Sequence, residues 1–170
     1  MERIRTALEG ISFEERTTSD EIPAIGIARE HLHAVLQKLR DAGGFVTITM
    51  VTGVDRYPAQ PRFELHHQLM SLDAERVRVT TLLREEDAKA QTCVDLWPGA
   101  AFMERECYDM FGIVFDGHEP MRRLLMPEEY GYHPLRKDFP HAGIEPDRLY
   151  RKWDRERRKD WDPAPSGGVK

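Results

Sequence analysis

Three groups of side chains in this 170-residue chain are of the types that chemistry uses: a carboxylate cluster, the histidines and two cysteines. Glu104 and Glu106 stand two apart, with Asp109 close behind. Acid–base catalysis needs two carboxylates converging on one substrate. Residues two apart on a helix point about 200° apart, so this pair cannot converge. Asp109 lies four residues after Arg105, the spacing of a local ion pair. His31 and His33 are separated on a helix in the same way, and His66 and His67 are strand neighbours facing opposite sides. His118, His133 and His141 lack the close pairing of zinc ligands. Cys93 and Cys107 form no C-x-x-C pair and are too few to hold an iron–sulfur cluster. Cys107 falls on an apolar stripe, where a cysteine behaves as a small hydrophobe. No glycine-rich phosphate loop or G-x-S-x-G elbow occurs. The residues therefore assign no catalytic, cofactor-binding or metal-binding group. A free-standing enzyme using Glu104, Asp109 and His118 is the alternative from another class.

Composition narrows the class further. With 25 basic and 30 acidic residues the formal charge is −5, which suits a soluble protein and argues against nucleic acid as the main partner. No apolar run approaches the roughly 20 residues that span a bilayer. The opening MERIRTALEGISFEER carries acids early and no apolar core of a secretory signal. Two cysteines imply no disulfide framework. A cytosolic chain is expected, one that could dock on a membrane complex.

The elements that would position these residues follow from periodicity. A short helix is expected over 1–8 and an edge strand over 22–28, with Pro23 at its start. Leu32, Val35, Leu36 and Leu39 form one face of a helix over 29–40, stopped by Gly43 and Gly44. Strands are expected over 45–52, 62–70 and 76–83. Their short links favour an antiparallel meander. Phe63, Leu65, His67 and Leu69 would face the core, and Glu64, His66 and Gln68 a wetter side. A second helix over 98–111 starts at Pro98, buries Ala100, Met103, Cys107, Met110 and Phe111, and stops at Gly112. Trp97 would anchor its entry. The expected fold is α+β: a two-layer domain over 1–112, with the antiparallel meander packed by helices.

From 113 to 170 the character changes to an extended, proline-rich tail. Pro120, Pro127, Pro134, Pro140 and Pro146 recur every six or seven residues. Phe115, Leu124, Leu125, Tyr130, Tyr132, Leu135 and Phe139 lie among them, whereas disordered linkers are poor in such residues. The tail is therefore expected to dock on partners, ending in a short basic helix over 146–160. Glu104, Arg105, Glu106 and Asp109 on the second helix are the first candidate interface residues. Arg122, Arg123, Arg136, Lys137 and Asp138 are expected to form salt bridges to neighbouring proteins, with Tyr132 and His133 beside them.

The run Val94-Asp95-Leu96-Trp97-Pro98-Gly99-Ala100, then Glu104 through Ile113, resembles the C subunit of the proton-pumping NADH:quinone oxidoreductase, the thirty-kilodalton subunit family of respiratory complex I. The likeness continues through Gly117-His118, Arg122 to Pro127 and His133 to Pro140, and covers about the last two-thirds of the chain. The family reads Gly-His-Pro where this chain has Gly117-His118-Glu119-Pro120, with the proline displaced by one. The resemblance implies a structural subunit of the hydrophilic arm that binds no cofactor itself. FMN and iron–sulfur clusters would lie in partner subunits, which also handle NADH and the quinone. The implied partners are the D, B and I subunits, on the cytoplasmic face of the cell membrane. The chain ends at Lys170, so the form fused to the D subunit is not expected. The alternative is the equivalent subunit of a membrane-bound hydrogenase or of a ferredoxin-fed quinone oxidoreductase.

Overall fold

The computed structural model describes residues 1–140, Gly143 and Glu156. Residues Met1–Asp138 form one compact unit, and 139–170 form a second unit. In the second unit the Gly143 amide donates to the Pro140 carbonyl at 2.9 Å. The basic helix expected over 146–160 and the candidate His141 lie outside the described residues, except that Glu156 is helical and exposed.

The meander forms as its alternation requires. Strands β3 (Thr47–Asp55), β4 (Phe63–Met70) and β5 (Arg76–Leu83) pair antiparallel in sequence order. Along β4, Phe63, Leu65, His67 and Leu69 are buried while their neighbours are half-buried. Two further strands complete the sheet, in the order β1-β2-β5-β4-β3. They are β1 (Glu14–Arg16), which the sequence reading lacked, and β2 (Ala24–Gly26). β2 runs parallel to β5 and antiparallel to β1, so the strand expected at the edge lies inside the sheet. Helix and meander lie between β2 and β5 in sequence, and they supply the long crossover that parallel neighbours need. Pro23 precedes β2 and gives its carbonyl to the Arg78 amide.

Helices close one side of this sheet. Helix α1 spans Glu2–Ala7; a 3₁₀ turn at Arg29–His31 leads into α2 (Leu32–Asp41). α2 buries Leu32, Val35, Leu36 and Leu39 as its spacing predicts, at about 2 kcal/mol of transfer free energy each. Helix α3 (Ala100–Phe111) begins two residues later than expected, with Pro98 in the turn before it. The Trp97 indole donates to the Val46 carbonyl at 2.9 Å and anchors that entry. α3 lies against β3, where Gly53 makes the approach possible. A Cβ there would sit 2.9 Å from the Phe111 ring and 3.0 Å from Ile113.

The expected boundary at 112 is not where the compact unit ends. Ile113 and Phe115 are core residues, and β7 (Val114–Asp116) pairs parallel with β6 (Lys89–Gln91) in a second, two-stranded sheet. The proline-rich residues 117–138 follow on the same unit. Prolines lack the N–H that a ladder needs, so this strap is held by side chains instead.

Candidate functional site

Helix α3 and the strap bring the expected interface residues together, but largely with one another. Glu104 occupies the buried stripe of α3, four residues after Ala100 and three before Cys107, and is 0% exposed. Its carboxyl oxygens accept from the Cys93 amide at 2.8 Å, the Thr92 hydroxyl at 2.6 Å and the Cys93 thiol at 3.2 Å. These bonds tie α3 to the segment before it and satisfy a polar group that would otherwise be costly to bury. Glu104 is therefore an internal brace and is not available to a partner. Glu106, two residues on, is exposed, as the helical geometry demands.

Asp109 is the second buried carboxylate, also 0% exposed. One oxygen accepts three consecutive backbone amides, from Leu124 at 2.9 Å, Leu125 at 2.7 Å and Met126 at 2.9 Å. The other pairs with the Arg123 guanidinium at 2.7 Å. Burial works to raise its pKa, but the amides and Arg123 outweigh burial and hold it below the ordinary carboxylate range. The local Arg105–Asp109 pair expected from spacing does not form. Arg105 instead donates to the strap carbonyls of Arg122 at 3.0 Å and Arg123 at 2.7 Å.

The strap also caps the C-terminus of α3. A helix leaves its last four carbonyls without intrahelical partners, and here each one finds a donor. Gly112, at φ 78°, turns its amide to Tyr108 O at 2.9 Å. His133 Nδ1 donates to Asp109 O at 3.0 Å, the Leu135 amide to Met110 O at 3.1 Å, and Arg136 Nε to Phe111 O at 2.7 Å. A basic donor at this end also suits the helix dipole. The Gly112 position has no room for a Cβ, which would lie 2.6 Å from Arg136 and 2.7 Å from His133. The His-Pro-Leu-Arg sequence at 133–136 is thus read as a helix cap, a role that only the folded contacts disclose.

At the end of the strap the Lys137 amide donates to Asp55 at 2.8 Å, and Asp138 pairs with Arg62 at 2.7 Å. Asp138, Arg123 and Arg136, expected to form salt bridges to neighbouring proteins, bond within the chain. Arg122 is exposed, and no ion pair to it occurs among the described residues. Sequence reading missed Asp55, Arg62 and Thr92. Nothing local marks them, because their partners lie up to 82 residues away. Among the described residues no group of three or more His, Cys, Asp or Glu could hold a metal. No described helix is long and apolar enough to cross a membrane. Burial pushes Cys107 up to about 12, and it raises Cys93 with help from Glu104, so neither thiol is set up as a nucleophile.

Large apolar side chains are exposed on α3 and on the strap. Phe102 is 62% exposed, Leu125 63%, Tyr132 54% and Leu135 51%. The Arg105 guanidinium lies 5.9 Å over the Phe102 ring and joins it to the strap.

Residues 25–145 match the family described as the respiratory-chain NADH dehydrogenase 30 Kd subunit. The chain belongs to that family. It is 41% identical over 125 residues to the C subunit of the NADH-quinone oxidoreductase of Citrifermentans bemidjiense, covering 73% of this chain and 76% of the relative. It is 39% identical over 122 residues to the C subunit from Saccharopolyspora erythraea, covering 69% of this chain and 49% of that one. A relative from Psychrobacter, named as a combined C/D chain of the same oxidoreductase, is 40% identical over 139 residues, which is 76% of this chain and 23% of the relative. The chain thus spans about half of the Saccharopolyspora relative and about a quarter of the C/D one. Among solved structures, "Nqo5 of the trypsin-resistant fragment (1-134)" superposes with a TM-score of 0.62 at 31% identity, over 69% of this chain and 96% of that one. A chain of a membrane-bound sulfane sulfur reductase, an archaeal respiratory membrane complex, shares the fold. Its TM-score is 0.71 at 24% identity, over 99% of this chain and 98% of that one.

Proposed function

We propose that this family member is the structural C subunit of a proton-translocating NADH:quinone oxidoreductase. It holds the quinone-site and iron–sulfur subunits together and carries no redox centre of its own. Its place is peripheral, on the cytoplasmic face of the cell membrane. Its neighbours are the D, B and I subunits, which with the remaining subunits carry FMN, the clusters, NADH and the quinone. Relatives that carry C and D in one named chain support the contact with D. The observation that carries the proposal is the set Phe102, Leu125, Tyr132 and Leu135, exposed on a helix and strap that Asp109 and Arg136 bind to each other. Large exposed apolar side chains are the kind of anchor that interfaces use.

The equivalent subunit of a membrane-bound hydrogenase or ferredoxin-fed quinone oxidoreductase is the second reading. The fold alone does not choose between them, since a chain of a different respiratory complex has it too. Affinity recovery of the tagged chain from membranes tests both. Co-recovery of flavin- and NADH-binding chains with iron–sulfur chains is the expected result; iron–sulfur chains with a hydrogenase subunit would favour the second reading. Recovery of no iron–sulfur chain would overturn both. The pair Phe102→Ser and Leu125→Ser should abolish recovery while moving Tm by no more than about 4 °C, as two exposed substitutions do.

A further inference from the structure

Arg62 is the largest fully buried side chain of the described residues, and its guanidinium has no spare donor. Nε and Nη2 donate to the two oxygens of Asp55 at 3.0 and 2.8 Å. Nη2 and Nη1 donate to the two oxygens of Asp138 at 2.7 and 3.1 Å. Nη1 also donates to Glu85 at 2.6 Å. All five N–H groups are thereby used. Tyr57 and Phe63 lie against its charge at 5.0 and 5.2 Å.

One guanidinium needs one carboxylate for charge balance, and buried Asp55 already meets it in a fork. Asp138 is surplus to that balance: its side chain is 47% exposed, and water would solvate it well. What the Asp138 fork fixes is the end of the strap, because Asp138 is the last residue of the compact unit. The Lys137 amide on Asp55 pins the adjacent residue to the same cluster. Two successive residues are thus tied to a buried charge between β3 and β4, at the point where the chain continues to Lys170.

We propose that Arg62 is a positioning residue: with Asp55 it forms a hitch that fixes residues 137 and 138, so that the C-terminal segment leaves the domain from one defined place and is presented to its partner there. The assembly role of that segment rests on the function proposed above, whereas the hitch itself does not.

The full-length chain tests it. Limited trypsin digestion followed by mass spectrometry reads the Arg136–Lys137 bond, since cleavage tracks how often this stretch opens. Asp138→Asn should speed that cut about tenfold, the loss expected for hydrogen bonds to a charged group, with Tm lower by only about 3–6 °C because Asp55 and Glu85 still pair Arg62. Asp138→Glu, which keeps the charge, should restore most of the protection. In cells, Asp138→Asn should lower recovery of the iron–sulfur partner chains several-fold, and Asp138→Glu should return it. An unchanged cleavage rate in Asp138→Asn would overturn the hitch. Faster cleavage with full partner recovery would overturn its positioning role. If the wild-type chain recovers no partner at all, the assembly reading fails, and the digestion still decides the hitch.

Discussion

Replacing Asp109 with Asn keeps the shape of the side chain and removes its charge. In the wild type one oxygen takes three amides at 2.7 to 2.9 Å and the other takes Arg123 at 2.7 Å. An asparagine has one acceptor oxygen and one NH2 group. If the oxygen keeps the three amides, the NH2 meets the Arg123 guanidinium, donor against donor. If it turns, the NH2 meets three N–H groups instead. Either way Arg123, whose side chain is 9% exposed, loses its ion-pair partner in a site nearly closed to water. Breaking a buried pair from one side costs roughly 3–5 kcal/mol. Arg123 keeps a bond to the Tyr132 carbonyl at 3.1 Å, so the lower end of that range, about 3 kcal/mol, is the expected loss. For a domain of this size each kcal/mol moves Tm by about 2–4 °C, which predicts a fall of about 6–12 °C by circular dichroism. The amides of Leu124, Leu125 and Met126 should lose hydrogen-exchange protection in step. Arg123→Met in the Asp109→Asn background should recover part of the loss, with a coupling above about 1 kcal/mol. A Tm within about 1 °C of the wild type, with the three amides still protected, would refute the clasp.

Two further outcomes follow from the buried groups. Glu104→Ala leaves the Cys93 amide and Thr92 hydroxyl without their acceptor, and should cost about 2–3 kcal/mol in urea unfolding; a loss below about 0.5 kcal/mol would show that these bonds do not matter. His67 is fully enclosed on the core face of β4, with no hydrogen-bond partner for either ring nitrogen among the described residues, and burial lowers its pKa to about 3. A depressed histidine contributes stability that is complete above its unfolded pKa near 6.5 and is lost as pH falls from there towards 3. The slope is about 1.4 kcal/mol per pH unit. His67→Leu should be more stable than the wild type at about pH 5 and should lose that part of the slope between about pH 6.5 and 5. Identical pH dependence in both proteins would count against a neutral buried ring.

The legible part of this chain was its local periodicity. Leu32, Val35, Leu36 and Leu39 sit on α2 as their spacing requires, and β4 alternates as written. Gly112 ends α3 in the left-handed region, and the ordered motif running from Val94 to Pro140 carried the family. Position 104 could also have been placed inside, because it lies four after Ala100 and three before Cys107; its charge argued for the surface, and the acceptors it offers to Thr92 and Cys93 decided otherwise. The same holds for the strap. Its prolines excluded helix and ladder, so residues 117–138 had to be extended and rich in side chains needing burial or partners. Which partners they found was a matter of tertiary structure. A carboxylate is indifferent to whether the amides it accepts are near in sequence or far, and Asp109, Asp55 and Arg62 gather donors and acceptors that only the fold brings to about 3 Å. Sequence established a charged, apolar, proline-stiffened segment belonging to a known family. Folding buried Glu104 and Asp109 and left Leu125, Tyr132 and Leu135 exposed beside Arg122, Glu128, Glu129 and Lys137, because a buried charge must be paired whereas an exposed group need only be held.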